Sequence, residues 1–242
     1  MTISRNDLKK FSSLKRKSKR SELELFIAEG KKICNELLNS NVELERLFIT
    51  ENLKPEYPNA EIISNKDADR LSNLKNQSNI IAIAKIPKYN LPEKIEDIVV
   101  YLDGISDPGN MGTILRSLDW FDHKRVFCSP NCVDIFNNKT VMASMGSVFR
   151  IKSHVISLNK LCNLFSFKNI IGATLNGQNL NSFSFEKSSI IILGNEANGI
   201  SLESEKKINQ NISIIKKGNA ESLNVSIATG IILNEINRQT NF

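Results

Sequence analysis

Residues 102–122, LDGISDPGNMGTILRSLDWFD, read as the end of a strand, a tight turn and an amphipathic helix. Ahead of them, Asp97 to Leu102 (DIVVYL) carries the apolar run of a buried strand. Asp103-Gly104 and Asp107-Pro108-Gly109 supply turn chemistry. Asn110 suits the N-cap of the helix that follows. Within that helix Met111, Ile114, Leu115, Leu118 and Phe121 share one arc. Gly112 and Arg116 lie one turn apart on the other side, a small residue beneath a long cation. Taken alone, the stretch predicts a solvated arginine on an amphipathic helix; later stretches give Arg116 a second reading.

The chain of 242 residues fits one large or two modest domains with a real core. Its 40% apolar and 24% charged residues are ordinary for a globular protein. No apolar run reaches the length of a membrane span, and the N-terminus lacks the apolar core of a signal peptide, so the cytoplasm is the expected compartment. Cys34, Cys128, Cys132 and Cys162 show no paired-ligand spacing. Cys128 and Cys132 would share a zinc only with two ligands from elsewhere, and His123 and His154 are the only histidines. Buried thiols in a reducing compartment are therefore expected, and no metal. The formal charge of +6 is unevenly placed. Lys9, Lys10, Lys15, Arg16, Lys17, Lys19 and Arg20 fall within twelve residues that no acid interrupts. Such a strip is either a solvated helix face or a surface for phosphates, where close cations displace condensed counterions.

Along the chain, residues 1 to about 20 read as a basic helix and Phe26 to Gly30 (FIAEG) as a strand and turn. Lys31–Leu38 and Asp67–Leu74 read as helices, Leu44–Thr50 and Asn79–Ile86 as strands. This alternation predicts a small α/β domain over residues 1–88. Pro87 to Pro92 is the best linker, and a second domain follows over 95–242. There the strands are Asp97–Leu102, His123–Cys128, Asn169–Thr174, Ser188–Leu193 and Asn211–Ile215. Asn137–Ser147 is helix-like, and the Asn/Ser-rich stretch 176–189 reads as a loop. Leu223 to Arg238 is a long terminal helix with Leu223, Ile227, Ile231 and Ile232 towards one side. Strands joined by helices predict an α/β fold with a mostly parallel sheet covered on both faces.

The usual nucleotide fingerprints are missing: no G-x-G-x-x-G follows the first strand, and there is no G-K-[ST] and no G-x-S-x-G. Two late segments stand out instead. Leu193-Gly194-Asn195-Glu196-Ala197-Asn198-Gly199-Ile200 follows a strong strand, at the end where open α/β sheets bind ligands. Its glycines let backbone approach a ligand closely; the plainer reading is a strand-ending turn. Glu221 to Ala228 (ESLNVSIA) opens the terminal helix, with Ser222 as a candidate N-cap.

Together, Asn110-x-Gly112-x3-Arg116, Gly194-Asn195-Glu196-x2-Gly199-Ile200 and Ser222-Leu223-Asn224-Val225-Ser226-x-Ala228 resemble the three ordered motifs of the SpoU (TrmH-like) RNA ribose 2′-O-methyltransferases. Met142 to Arg150 (MASMGSVFR) is similar to the segment this family carries between its first two motifs. Phe26–Gly30 and Ile80–Ile86 resemble its frequent N-terminal substrate-binding domain, similar to ribosomal protein L30e. The resemblance implies a SPOUT domain whose C-terminal stretch forms a trefoil knot, and a homodimer with its site near the interface. S-adenosylmethionine is the implied cofactor, held mainly by backbone of Gly194, Ile214 and Leu223. Leu193, Asn195, Gly199, Ile200 and Ser226 are the other implied cofactor neighbours.

Asn110, Arg116, Glu196 and Asn224 are the implied catalytic group. Methyl transfer to a ribose hydroxyl needs in-line positioning and a polarised, poor nucleophile. A guanidinium ordinarily keeps its proton, so Arg116 is read as holding the 2′-hydroxyl or an adjacent phosphate. Asn110 would orient Arg116 or substrate, Glu196 would shape its loop, and Asn224 would contact substrate. Where the family often has Ile-Pro, this chain has Ile214-Ile215, a departure that bears on loop stiffness. The N-terminal resemblance favours ribosomal RNA, with transfer RNA open. A catalytically silent RNA-binding or ribosome-assembly factor is the alternative; base methylation is a third, disfavoured by the N-x-G-x3-R pattern.

Overall fold

The computed structural model describes residues 3–74 and 78–240; the first two residues of the expected basic helix lie outside them. By its contacts the chain divides into two compact units. The first comprises residues 1–88 with 134–150, the second 89–133 with 151–242.

In the first unit the order is α1 (Arg5–Ser12), α2 (Lys17–Leu23), β1 (Leu25–Glu29), α3 (Lys31–Leu38), β2 (Leu44–Ile49), β3 (Glu61–Ile62), α4 (Asn65–Leu71) and β4 (Ile80–Lys85). The four strands form one sheet, β1-β4-β2-β3, antiparallel except for the short β2–β3 pair. β1 is buried throughout, its apolar run Leu25–Ala28 and the Glu29 that ends it alike. Leu8, Phe11, Leu14 and Leu71 close one face of the sheet over Ile27, Phe48, Ile81 and Ile83. The basic strip divides into two kinds of residue. Lys9, Lys10, Arg16 and Lys17 are exposed, whereas Arg20 is buried and pairs with Asp134 at 2.5 Å. Arg20 also donates to the carbonyls of Leu14 and Lys15.

Asp134 opens a segment that the sequence groups with the second domain. Residues 134–150, with α6 (Asn138–Ser144), pack instead within the first unit. Phe136 and Phe149 lie against Phe26, with ring centroids 4.8 and 6.0 Å away. The fully buried Glu29 carboxylate accepts from Asn138 Nδ2, Ser72 Oγ and Asn73 N, so its charge is satisfied without a cation. Arg150 pairs with Glu36 at 2.6 Å. Removing one partner of a buried ion pair strands the other, so Arg20→Ala is expected to destabilise the protein by about 3 kcal/mol, read from urea unfolding.

The second unit runs β5 (Val99–Leu102), α5 (Pro108–Trp120), β6 (Arg125–Cys128), β7 (Lys152–Val155), α7 (Leu158–Leu164), β8 (Asn169–Asn179), β9 (Ser189–Leu193), α8 (Leu202–Glu205), β10 (Gln210–Ser213) and α9 (Val225–Thr240). Its six strands are ordered β10-β8-β9-β5-β6-β7, and every pairing is parallel. Tyr101, Phe127, Ile190 and Ile192 meet Leu158 and Leu161 of α7 in one core.

Three sequence expectations are corrected here. α5 starts at Pro108, and its N-cap is Asp107, whose side chain accepts from Asn110 N; proline at the first position favours this start over Asn110. The expected loop over 176–189 is strand as far as Asn179, because Gln178 and Asn179 pair with Ile212 and Ser213. The buried side of α9 is Val225, Thr229, Ile232, Leu233 and Ile236, while Leu223, Ile227 and Ile231 are exposed.

His154 in β7 stacks on Phe127 at 5.3 Å, and its buried Nε2 has no partner among the described residues. Burial, then the Arg125 and Lys152 charges, lower its pKa below the ordinary 6.5; burial lowers that of His123 too. The unfolded chain therefore takes up these protons first as the pH falls. Stability is expected to be full above pH 6.5 and to decline below it. Urea midpoints measured from pH 7.5 downwards should fall less steeply for His154→Phe than for the wild type.

Candidate active site

The site follows from strand register. β5 and β9 are parallel neighbours with Leu102 opposite Leu193, so the loops that leave them emerge side by side. Asp103 N donates to Leu193 O at 2.8 Å, which fixes their starting points. The buried Asp103 carboxylate then accepts from Ser201 N at 2.9 Å. The loop after β5 turns into α5 and delivers Asn110. The loop after β9 is a tight reversal in which Asn195 and Gly199 exchange backbone hydrogen bonds of 2.8 and 2.9 Å. This reversal folds over Gly194 so closely that a Cβ there would lie 2.3 Å from the Gly199 carbonyl carbon.

A third segment completes the group. The expected cap Ser222 is displaced by Asn224, whose Oδ1 accepts from both the amide and the hydroxyl of Ser226. Asn224 Nδ2 donates to Asn110 Oδ1 at 2.9 Å, and Asn110 Nδ2 donates to Glu196 Oε1 at 2.7 Å. The hydrogen bonds run in one sense, from Ser226 through Asn224 and Asn110, and end on a carboxylate. Chains of this kind polarise each member towards the charged end. Three stretches separated by 86 and 114 residues thus meet through Asn110.

Beside this relay lies a cavity of about 830 Å³, inside the usual range of about 300–1,000 Å³ for small-molecule sites. Leu193, Gly194, Asn195, Gly199, Ile200, Ile214 and Leu223 line it, as does Glu196. Apolar side chains and bare loop backbone make most of its wall, with Glu196, Glu205 and Glu221 as acids and Lys216 and Lys217 as cations. That mixture suits S-adenosylmethionine: apolar walls and backbone groups for a nucleoside, acids for its sulfonium and ammonium charges and cations for its carboxylate.

Eight of the twelve sequence-derived site residues line the cavity, whereas Asn110, Asn224 and Ser226 reach it only through the relay that ends on Glu196. Arg116 is exposed on α5, and among the described residues it has no hydrogen bond or ion pair and does not line the cavity. Sequence reasoning missed Asp103, Asp107 and the cavity wall from Ala173 to Asn176. Those last four residues were legible in principle, since a strand beside β9 and parallel to it must end at the same edge.

The SpoU rRNA Methylase family matches residues 97–234, and an MRM3-like substrate binding domain matches residues 5–85. The chain is 26% identical over 236 residues to the 23S rRNA (guanosine(2553)-2′-O)-methyltransferase RlmP of Bacillus subtilis, covering 93% of this chain and 94% of the relative. Among solved structures, a putative RNA methyltransferase of the TrmH family from Porphyromonas gingivalis superposes with a TM-score of 0.86. It is 30% identical, over 98% of this chain and 99% of that one. An AdoMet-bound rRNA methyltransferase from Sinorhizobium meliloti, 24% identical, shares the fold with a TM-score of 0.86 over 99% of this chain and 98% of that one. With residues 97–234 matched, more than half of its length and all three converging stretches, the chain belongs to the SpoU rRNA methylase family.

Proposed function

We propose that the protein transfers a methyl group from S-adenosylmethionine to a ribose 2′-hydroxyl of ribosomal RNA. Family membership makes it an RNA methyltransferase. The observation that carries the finer reading is the relay Ser226–Asn224–Asn110–Glu196 at the rim of the cavity. The Bacillus subtilis relative named for 23S ribosomal RNA spans both units, which supports ribosomal over transfer RNA.

When bound, S-adenosylmethionine supplies an electrophilic methyl group on a sulfonium. The chain's residues do the rest by placement. The loops at 193–200 and 214–223 hold the cofactor and keep water from its apolar part. Asn110 and Asn224 fix the Glu196 carboxylate, an acceptor at the cavity edge. Arg116, a fork of donors with no partner among the described residues, would grip the ribose hydroxyl or its phosphate. Positioning of this kind supplies much of the rate in a displacement that must be in line.

Trp120, 83% exposed on α5, and Ile227 and Ile231, exposed on the α9 that packs against α5, are large apolar side chains whose exposure supports a homodimer. In this reading a second copy covers that face and Arg116 works at the interface. The 209–240 stretch is read as the threaded part of a trefoil knot, and the first unit, with an L30e-like sheet and exposed Lys9, Lys10, Arg16 and Lys17, as the grip on RNA. Among the described residues no helix is long and apolar enough to cross a membrane; the cytoplasm, where ribosomal RNA is modified, fits the proposed substrate.

Purified protein, labelled S-adenosylmethionine and unmodified ribosomal or transfer RNA test the reading. Label is expected in alkali-resistant dinucleotides from ribosomal RNA, because a 2′-O-methyl group removes the hydroxyl that alkali needs. Label on a base, or RNA binding with no label, overturns it.

A further inference from the structure

We infer that Asn195 is a positioning residue, acting through Asn110, and that its side chain is not a contact for the cofactor. Asn195 borders the cavity, but its amide is fully committed elsewhere. Oδ1 accepts from Ala197 N at 2.9 Å and Asn198 N at 3.1 Å, which shapes its own loop. Nδ2 donates across to Gly104 O at 2.7 Å and to Ser106 Oγ at 3.3 Å. No donor or acceptor of the side chain remains for a ligand.

Gly104 is the residue whose conformation makes this possible. Its φ of +72° turns the carbonyl towards Asn195, while its amide donates to Ser129 Oγ at 2.9 Å. Residues 104–107 therefore hang between two side chains, Ser129 on one side and Asn195 on the other. Asp107, the last of them, caps α5, and the third residue of that helix is Asn110. Asn195 thus sets where α5 begins, and with it whether Asn110 meets Glu196. Glu196 is the next residue after Asn195, so one loop fixes both ends of the Asn110–Glu196 bond.

The inference rests on the methyl-transfer reading, and Asn195→Asp tests it sharply. The substitution keeps shape and Oδ1, so the loop's own bonds persist. It replaces the cross-loop donor with an acceptor facing the Gly104 carbonyl, which repels. The rate constant for methyl transfer is expected to fall on the order of 100-fold, the effect of a misplacement near 1 Å. Affinity for S-adenosylmethionine, measured by calorimetry, should stay within about twofold, as for an independent site. In an Asn110→Ala background the same change should add no more than about twofold, because the group it positions is gone. Amide hydrogen exchange over 104–110 should rise in the variant.

An affinity loss as large as the rate loss would make Asn195 a cofactor contact and overturn the inference. So would full multiplication of the Asn110 and Asn195 effects, or unchanged exchange over 104–110. If the wild type transfers no methyl group, the functional reading fails, while the exchange and calorimetry still decide the role of Asn195. Asn195→Ser, which loses reach without adding charge, repeats the test should the aspartate variant not fold.

Discussion

Gly194→Ala is expected to abolish measurable binding of S-adenosylmethionine while leaving the first unit folded. A Cβ at this position would lie 2.3 Å from the carbonyl carbon and 2.6 Å from the oxygen of Gly199, and 2.4 Å from the amide nitrogen of Ile200. All three are backbone atoms, so no side-chain rotation relieves the collision. The 195–199 reversal must open, and it carries Glu196 and one wall of the cavity. The change also falls at the end of β9, whose core residues Ile190 to Ile192 are fully buried, so a stability loss of about 1–3 kcal/mol from overpacking accompanies it. Calorimetry with S-adenosylmethionine checks the first effect and circular dichroism the second. Gly199→Ala is the informative contrast. Nothing lies within 4 Å of a Cβ there, and only its φ of +67° resists, so a smaller loss of affinity is expected.

Arg116→Ala is expected to reduce the rate of methyl transfer on the order of 100- to 1,000-fold, the range for removing one preorganised donor to a developing charge. Affinity for S-adenosylmethionine should not change, because Arg116 is absent from the cavity wall. Stability should not change either, because the side chain is exposed and makes no ion pair among the described residues. Arg116→Lys restores charge but not the planar fork, and should recover little. Single-turnover assays with saturating cofactor separate these outcomes.

How much of this was legible in the sequence depended on how local the cause is. The strand–turn–helix at 97–120 was legible because an apolar run, Asp-Gly and Asp-Pro-Gly each act within a few residues. The helix start slipped by three residues because Asp107 and Asn110 are both good caps and only Pro108 distinguishes them. Polar Gln178 and Asn179 could not announce a strand, since their pairing partner lies more than 30 residues away. The packing of 134–150 against β1 was illegible for the same reason. It depends on a buried carboxylate, Glu29, whose donors come from two segments far apart in the chain, Ser72-Asn73 and Asn138. The exposed arc of α9 shows the converse: periodicity finds an apolar stripe but does not say whether the chain itself covers it.

The ordered motifs grouped the candidate site residues, and the coordinates add the contacts among them. Asn110, Glu196 and Asn224 were grouped by resemblance, whereas the relay that joins them requires coordinates. Asn195 is among the expected cofactor neighbours; its side-chain amide bonds Gly104 and Ser106, the contacts on which the inferred positioning role rests.

The most direct measurement is a map of ribose methylation across ribosomal RNA from cells that carry Arg116→Ala in place of the wild-type chain. A lost 2′-O-methyl mark, with the variant present at normal abundance, is the predicted result. A full set of marks in those cells, and in cells lacking the protein altogether, would contradict the assignment of this cavity and its neighbouring arginine to ribose methylation of ribosomal RNA.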